Sequence, residues 1–158
     1  MALQERPAPT HTALELDAPG ARVRKHAQFD LDLSGIAKGF AVDEMMRTVK
    51  AFGISDGLVG LDGELEASGT KPDGTPWRVA VEKPDYELRS PLGVIELQDA
   101  AVATSGDYRH WIELGGTRLS HTMDRRRGGP IANAIASVSV VASRCMEADA
   151  WATALMVP

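Results

Sequence analysis

Cysteine is almost absent from this sequence, which has only Cys145 among its 158 residues. A single cysteine excludes an internal disulfide and a zinc-finger set, because both need several thiols. The sequence also lacks an excess of positive charge, since 17 lysines and arginines against 22 aspartates and glutamates give a net charge of −5. Proteins that bind nucleic acid or membrane surfaces generally carry a basic face, so we expect neither partner.

Long apolar segments are missing as well. No run approaches the roughly 18 consecutive apolar residues that a membrane span needs, so we expect no membrane span in this chain. The first twelve residues lack the apolar region of a secretion signal, and we interpret Met1–Thr12, with its two prolines, as a loose leader. The chain is therefore either cytosolic or begins downstream of a signal in a longer precursor.

The residues that are present are those of an ordinary globular domain. Hydrophobic residues make up 44% of the chain and charged residues 25%, which permits a packed core. Short strand patterns outnumber helical ones and are not regularly interleaved with them. We therefore predict an α+β fold, a single layered domain with a mostly antiparallel sheet and two main helices. Residues 1–27 are expected to form the leader and a short strand region, and residues 28–158 the domain.

The helices are predicted from apolar spacing. Val42, Met45, Met46, Val49 and Phe52 form an amphipathic stripe, and Gly53 is suited to end that helix. An alanine-rich second helix is predicted from about Arg144, with Ser143 as its cap. The main predicted strands are Gln28–Leu33, Gly57–Leu61, Glu64–Ser68, Trp77–Glu82, Val94–Leu97, Ala101–Thr104, Tyr108–Leu114, Arg118–Ser120 and Ala136–Ala142.

Four short segments carry residues that suit chemistry. The segment DLSGIAKG, residues 32–39, places Asp32 near a predicted strand end, Gly35 at a turn, and Lys38 in the first turn of a helix. Free N–H groups at a helix start attract phosphate, and a lysine adds positive charge. An ordinary strand-to-helix turn gives the same pattern.

The next two segments contain the candidate bases. Ser105, Gly106 and Asp107 suit either an anion-binding turn or a β-turn closed by the aspartate side chain. His121 precedes Asp124 and a run of three arginines. That setting suits a base or a phosphate ligand, although most single histidines are surface or hydrogen-bonded core residues.

The fourth segment contains Asp149 and Thr153, which are four residues apart. On a helix their oxygens share one face. A carboxylate and a hydroxyl are hard oxygen ligands of the kind that Mg²⁺ prefers. The same spacing is also common in helices without any metal.

The order of these segments resembles one family. The blocks DLSGIAKGFAVD, LVGLDGEL, PWRVAVEKP, AVATSGDYRH, LSHTMD and SVSVVASRCMEADAWATALMV are similar to those of the ApbE family of FAD:protein FMN transferases, once called thiamine-biosynthesis lipoproteins. The resemblance covers about Phe29–Pro158 and implies an ApbE-like fold. It implies Mg²⁺-dependent transfer of FMN from the substrate FAD to a threonine of an acceptor flavoprotein, with release of AMP.

The resemblance also implies roles for individual residues. Asp32, Lys38 and Met123 would contact FAD, and His121 and the turn Ser105–Asp107 would line the same cleft. The Gly35 carbonyl, the Asp149 carboxylate and the Thr153 hydroxyl would bind Mg²⁺. The acceptor hydroxyl needs a base, for which both His121 and Asp107 are candidates. Family members generally work outside the cytoplasm, in the periplasm or anchored to a membrane.

Three departures from the family pattern bear on the expected function. The family's Asp-Pro-x-Thr-Gly is here Asp124 followed by three arginines and Gly128, and its Asn-x-Gly-Gly is here residues 60–63, GLDG. Family members are also much longer, so the chain resembles their carboxy-terminal half. A non-catalytic module that binds flavin or a partner protein, and an Mg²⁺-dependent hydrolase that splits FAD into FMN and AMP, are therefore alternatives.

Overall fold

A computed structural model of the chain describes residues 12–124 and 126–157, which divide into two units at Asp32. In the first unit, β1 (Leu14–Asp17) and β2 (Arg22–Lys25) form an antiparallel hairpin. The strand predicted over Gln28–Leu33 is wrong, because these residues are coil and belong to no sheet of the described residues. The predicted boundary at residue 27 stays a prediction, and the leader lies outside the described residues except for Thr12.

The second unit is built on a four-stranded antiparallel sheet. Its strands are β3 (Gly57–Leu61), β4 (Glu64–Ser68), β7 (Ala100–Gly106) and β12 (Ser137–Ala142), in the order β12-β7-β4-β3. The turn between β3 and β4 has two residues, Asp62 and Gly63, both with positive φ. This tight turn makes Glu64 the first residue of β4 and fixes its register against β3.

Both faces of this sheet are covered. The helices α1 (Ala37–Ala51) and α2 (Cys145–Leu155) pack on one face, where Val42, Ala101 and Cys145 are buried together. Strands β5 (Trp77–Glu82) and β6 (Pro91–Leu97) form a hairpin that packs on the other face, where Val102 is buried. Ala101 and Val102 are neighbours in β7, and side chains of a strand alternate between its faces. The sheet is therefore the middle layer between helices and hairpin, which confirms the α+β class.

Two small hairpins complete the unit. Strands β8 (Trp111–Leu114) and β9 (Thr117–Ser120) pair across two glycines of positive φ, and β10 (Met123–Asp124) pairs with β11 (Gly129–Pro130). No helix in the described ranges has the length and apolar character of a membrane span.

Most of the predicted elements of the second unit are confirmed to within a few residues, and the differences lie at their edges. In the predicted stripe of α1, Val42 and Met46 are buried, but Met45 is 41% exposed and Phe52, just beyond the helix, is 82% exposed. The helix ends as predicted at a glycine of positive φ, Gly53. Ser143 does not cap α2, because its hydroxyl hydrogen-bonds Glu147 instead.

Candidate metal and phosphate site

The first turn of α1 meets α2 through a buried carboxylate. The backbone N–H of Gly39, the third residue of α1, donates to Asp149 Oδ2 at 3.0 Å. This N–H is one of those that a helix leaves without an internal partner, and the residue before α1, Ile36, offers no side-chain cap. Asp149 of α2 is 3% exposed, so it takes over the capping of α1 from inside the protein.

Two glycines make this approach possible. A Cβ at Gly39 would lie 2.5 Å from the Cys145 carbonyl oxygen and 2.8 Å from Asp149 Cβ. A Cβ at Gly35 would lie 3.0 Å from Thr153 Oγ1. Because real Cβ atoms do not approach backbone so closely, only glycine at residue 39 lets α1 and α2 pack at this distance.

Thr153 connects the helices to the sheet. Its hydroxyl lies 3.1 Å from the hydroxyl of Ser105 in β7. Ser105 and Gly106 are the last two residues of β7, so the turn predicted for Ser105–Asp107 is wrong for these two residues. Either hydroxyl can donate in this contact, and with Thr153 as the donor both of its lone pairs remain for a cation.

A buried ion pair lies next to this cluster. Glu64 is 1% exposed, and its Oε1 is 2.9 Å from Lys38 Nζ, whose side chain is 41% exposed. Burial raises the pKa of Glu64, the hydrogen bond and charge of Lys38 lower it, and the negative charge of Asp149 raises it, with a net rise. Glu64 Oε2 is buried and has no hydrogen-bond partner in the part of the chain that is described.

A second acidic pair lies at the start of α2. Asp43 of α1 accepts hydrogen bonds from the backbone N–H of Cys145 at 2.6 Å and of Met146 at 3.4 Å, and from Arg144 at 3.2 Å. Burial, followed by a hydrogen bond to Asp43 and the charge of Asp43, raises the pKa of Glu66 to about 7. The two helices thus cap each other, and Asp43 does what Ser143 was expected to do.

Cys145 lies between the two acidic pairs. Burial and the negative charges of Asp43, Glu64, Glu66 and Asp149 raise the pKa of its thiol to about 12. A thiol that stays protonated is a poor nucleophile and a poor metal ligand. The one cysteine of the chain is therefore a packing residue.

The candidate bases have contacts of their own. His121 is exposed, and its Nδ1 is 2.9 Å from the carbonyl oxygen of His110. A carbonyl only accepts, so in the neutral ring Nδ1 carries the hydrogen and Nε2 keeps a lone pair. Asp107 Oδ1 is buried without a hydrogen-bond partner in the described ranges. Asp107 therefore has one buried oxygen without a donor in the described ranges, and neutral His121 has an Nε2 lone pair on an exposed ring.

The remaining predicted contacts are less informative. Met123 is 58% exposed on the short strand β10. Asp124 beside it is buried and accepts the backbone N–H of Arg126, and Arg125 lies outside the described residues. Asp32 is exposed and is the last residue of the first unit. The roles of Met123 and Asp32 toward FAD stay predictions.

The geometry brings together four of the predicted residues, namely Gly35, Ser105, Asp149 and Thr153. Their oxygens are hydroxyl, carboxylate and carbonyl, which suit Mg²⁺. In residues 12–124 and 126–157, no three His, Cys, Asp or Glu side chains form a cation-binding group. An ion here would depend on one carboxylate, neutral oxygens, and oxygens from a ligand or water.

Sequence reasoning missed three residues of this region, Asp43, Glu64 and Glu66. Both glutamates belong to a predicted strand, Glu64–Ser68, whose sequence ELEAS alternates, and strands of this kind usually turn their polar residues toward water. Here the polar face of β4 is covered by helices. The alternation alone does not show which face of the strand is covered. The one local signal is the Asp-Gly turn directly before Glu64, which indicates a rigid strand end.

Comparisons with known proteins agree with the resemblance. The ApbE family model matches residues 2–158. A curated FAD:protein FMN transferase of Vibrio cholerae is 46% identical over 127 residues, which are 80% of this chain and 38% of the relative. The solved apo structure of the Pseudomonas stutzeri flavinyl transferase ApbE is 42% identical with a TM-score of 0.75, over 92% of this chain and 44% of that one. The ApbE protein of Thermotoga maritima gives 32% identity and a TM-score of 0.81, over 93% and 47%.

Proposed function

This chain belongs to the ApbE family, and from that premise we propose that it supplies the metal and phosphate site of an enzyme that transfers FMN from FAD to a protein. The chain spans less than half the length of the relatives just described. The FAD substrate, the acceptor threonine and the Mg²⁺ ion are therefore parts of the proposal.

One observation carries the proposal: the close approach of Gly35, Asp149 and Thr153. Thr153 is one helical turn after Asp149, and a Cβ at Gly35 would touch the Thr153 hydroxyl. Gly35 thus lies beside the Thr153 hydroxyl, one helical turn from the Asp149 carboxylate, and its carbonyl is the third hard oxygen that we assign to the site. When Mg²⁺ is bound there, it neutralises the charge that develops on the pyrophosphate as AMP leaves.

The protein's own residues bind the anionic substrate and handle one proton. Lys38 attracts a phosphate oxygen of FAD through its positive charge. In the transfer, the threonine oxygen of the acceptor forms a bond to the phosphorus of the FMN moiety, the bond from that phosphorus to the AMP oxygen breaks, and a base takes the hydroxyl proton.

His121 and Asp107 both remain candidates for the base. The Nε2 lone pair of His121 is available while His110 holds Nδ1–H, and Asp107 has a buried oxygen without a donor. A base must come within hydrogen-bond reach of the hydroxyl in the complex. Transfer rates of His121→Gln and Asp107→Asn as a function of pH distinguish the two, because only the base removes the pH dependence when it is replaced.

The proposal is tested with FAD, Mg²⁺ and an acceptor flavoprotein domain. Transfer gives a fluorescent acceptor band on a denaturing gel. The hydrolase alternative gives free FMN and AMP without a fluorescent band. A binding module gives FAD binding with neither product, and a chain that does none of these contradicts the proposal. An acceptor with its threonine replaced by valine is the control, since it lacks the oxygen that attacks.

A further inference from the structure

Glu64 connects the interior of the protein to the exposed lysine of the site. Its carboxylate lies behind the start of α1 at 1% exposure, while the Lys38 side chain that it contacts is 41% exposed. The backbone of Glu64 is fixed because it follows a two-residue turn and pairs with Leu61 in β3. The ion pair therefore has one rigid, buried partner and one partner that reaches solvent.

Such a pair orders the lysine. A free lysine side chain loses rotamer entropy when it is immobilised. With its ammonium already held at 2.9 Å from Glu64, Lys38 has lost part of this freedom before any ligand arrives.

The pair also lies within the field of the proposed metal site. The charge of Asp149 raises the pKa of Glu64, and Gly39, the neighbour of Lys38, donates its N–H to Asp149. The carboxylates of Glu64 and Asp149 and the ammonium of Lys38 together carry one negative charge. A divalent cation at Asp149 reverses this to one positive charge, which favours an anionic diphosphate.

We propose that Glu64 is a positioning residue that holds the Lys38 ammonium beside Asp149 for a phosphate oxygen of FAD. This statement rests on the proposed function, because it takes FAD as the ligand. Glu64 does not touch FAD itself: it acts through Lys38, and its free Oε2 faces the protein interior.

The test is a double-mutant cycle on FAD affinity with Mg²⁺ present. Glu64→Gln removes the charge but keeps the shape, and we expect the FAD dissociation constant to rise about tenfold. Lys38→Met raises it at least as much. In the double variant the Glu64 change adds nothing further, because the lysine on which it acts is gone. Glu96→Gln is the matched control, since Glu96 forms an exposed ion pair with Arg78 on the β5–β6 hairpin.

A second measurement reports on Lys38 without FAD. Reductive methylation with ¹³C-formaldehyde gives each lysine an NMR signal, and the signal of Lys38 is identified by its absence in Lys38→Arg. We expect the Lys38 signal to move toward the position of solvent-exposed lysines in Glu64→Gln and to stay in place in Glu96→Gln. Melting temperatures verify that all variants fold.

The outcomes separate the two claims. The positioning role is overturned if FAD affinity is unchanged in Glu64→Gln, or if the effects of the two substitutions simply add in the double variant. The proposed function still stands in that case, provided that the unaltered chain binds FAD. If the unaltered chain binds no FAD, the proposed function fails. The NMR measurement then still tests the positioning role, which is overturned if the Lys38 signal is the same in Glu64→Gln as in the unaltered chain.

Discussion

Two acidic pairs form where the helices cover one face of β4. They have the same arrangement but differ in the charged groups that contact the glutamate. In each pair an aspartate caps the opposite helix and a glutamate of β4 lies behind it: Asp149 with Glu64, and Asp43 with Glu66. Glu64 has the Lys38 ammonium at 2.9 Å. Glu66 faces the carboxylate of Asp43 instead, and its pKa rises to about 7.

The difference shows what the same capping arrangement does with and without a cation in contact with the glutamate, since Arg144 of the second pair contacts Asp43. Where the lysine is present, the glutamate is paired with a positive charge, and the aspartate of that pair, Asp149, is one helical turn from Thr153. Where it is absent, the pKa of the glutamate rises to about 7, because its partial burial and then the nearby carboxylate of Asp43 both disfavour the charged form. We therefore expect ligand chemistry at the first pair and only structural effects at the second.

The largest expected effect is on Mg²⁺ binding. Asp149→Asn keeps an oxygen for the Gly39 N–H but removes the one charged ligand of the proposed site, so Mg²⁺ affinity measured by calorimetry with FAD present should fall at least about tenfold, which is about 1.4 kcal/mol. Asp43→Asn makes the same change in the second pair and should leave the affinity unaltered. Equal losses in both variants would contradict the distinction between the pairs.

The next effect is on stability at the first cap. Gly39→Ala places a Cβ 2.5 Å from the Cys145 carbonyl oxygen. Although alanine favours helix, the forced separation of α1 and α2 should lower the free energy of unfolding by about 1–3 kcal/mol. Urea unfolding measures it. Gly57→Ala is the control, because a Cβ there meets no atom within 4 Å, and a loss as large in this variant would show that packing at Gly39 is not the cause.

A smaller effect is the pH dependence at the second pair. Glu66 binds its proton more tightly in the folded protein, with a pKa of about 7 against an ordinary 4.5. Its contribution to stability is therefore full below about pH 4.5 and is lost as the pH rises to 7. Glu66→Gln cannot ionise, so it should be more stable than the unaltered chain by about 1–2 kcal/mol at pH 8, with a smaller difference at pH 5. Thermal unfolding at both pH values measures this, and a gain that is equal at pH 5 and pH 8 would contradict it.

The smallest effect is expected for Arg144. Its side chain is 53% exposed where it meets Asp43, and exposed ion pairs contribute about 0–1 kcal/mol. Arg144→Met should therefore change the free energy of unfolding by about 0.5 kcal/mol or less and leave FAD affinity unaltered. Weaker FAD binding in this variant would mean that the second pair also belongs to the ligand site.

The fold of the second unit was largely predictable, because its strands have recognisable sequence patterns and its turns contain Gly, Pro and Asp in the expected places. The strand over Gln28–Leu33 was not, since an alternating pattern forms a strand only where a partner is available. Leu31 and Leu33 are in fact exposed. The exposure of Phe52 follows from its place just beyond the last turn of α1, which helical spacing does not take into account.

The site was predictable only in part. Asp149 and Thr153 are four residues apart on one helix, so their proximity follows from local geometry. Their contacts with Gly39 and Ser105 join residues 110 and 48 apart, and no local pattern encodes those. Glu64 was missed because an alternating strand does not tell which of its faces will be covered.

The mutual capping of the helices also bears on how the chain folds. Neither Ile36 nor Arg144 caps its own helix with a side chain, and the carboxylates that do so lie more than 100 residues away. Each helix start is therefore incomplete until the other helix has docked, and the chain must first close a long loop, whose entropy opposes docking. The amides of both helix starts should consequently gain protection from hydrogen exchange in one late step, as a single cooperative unit.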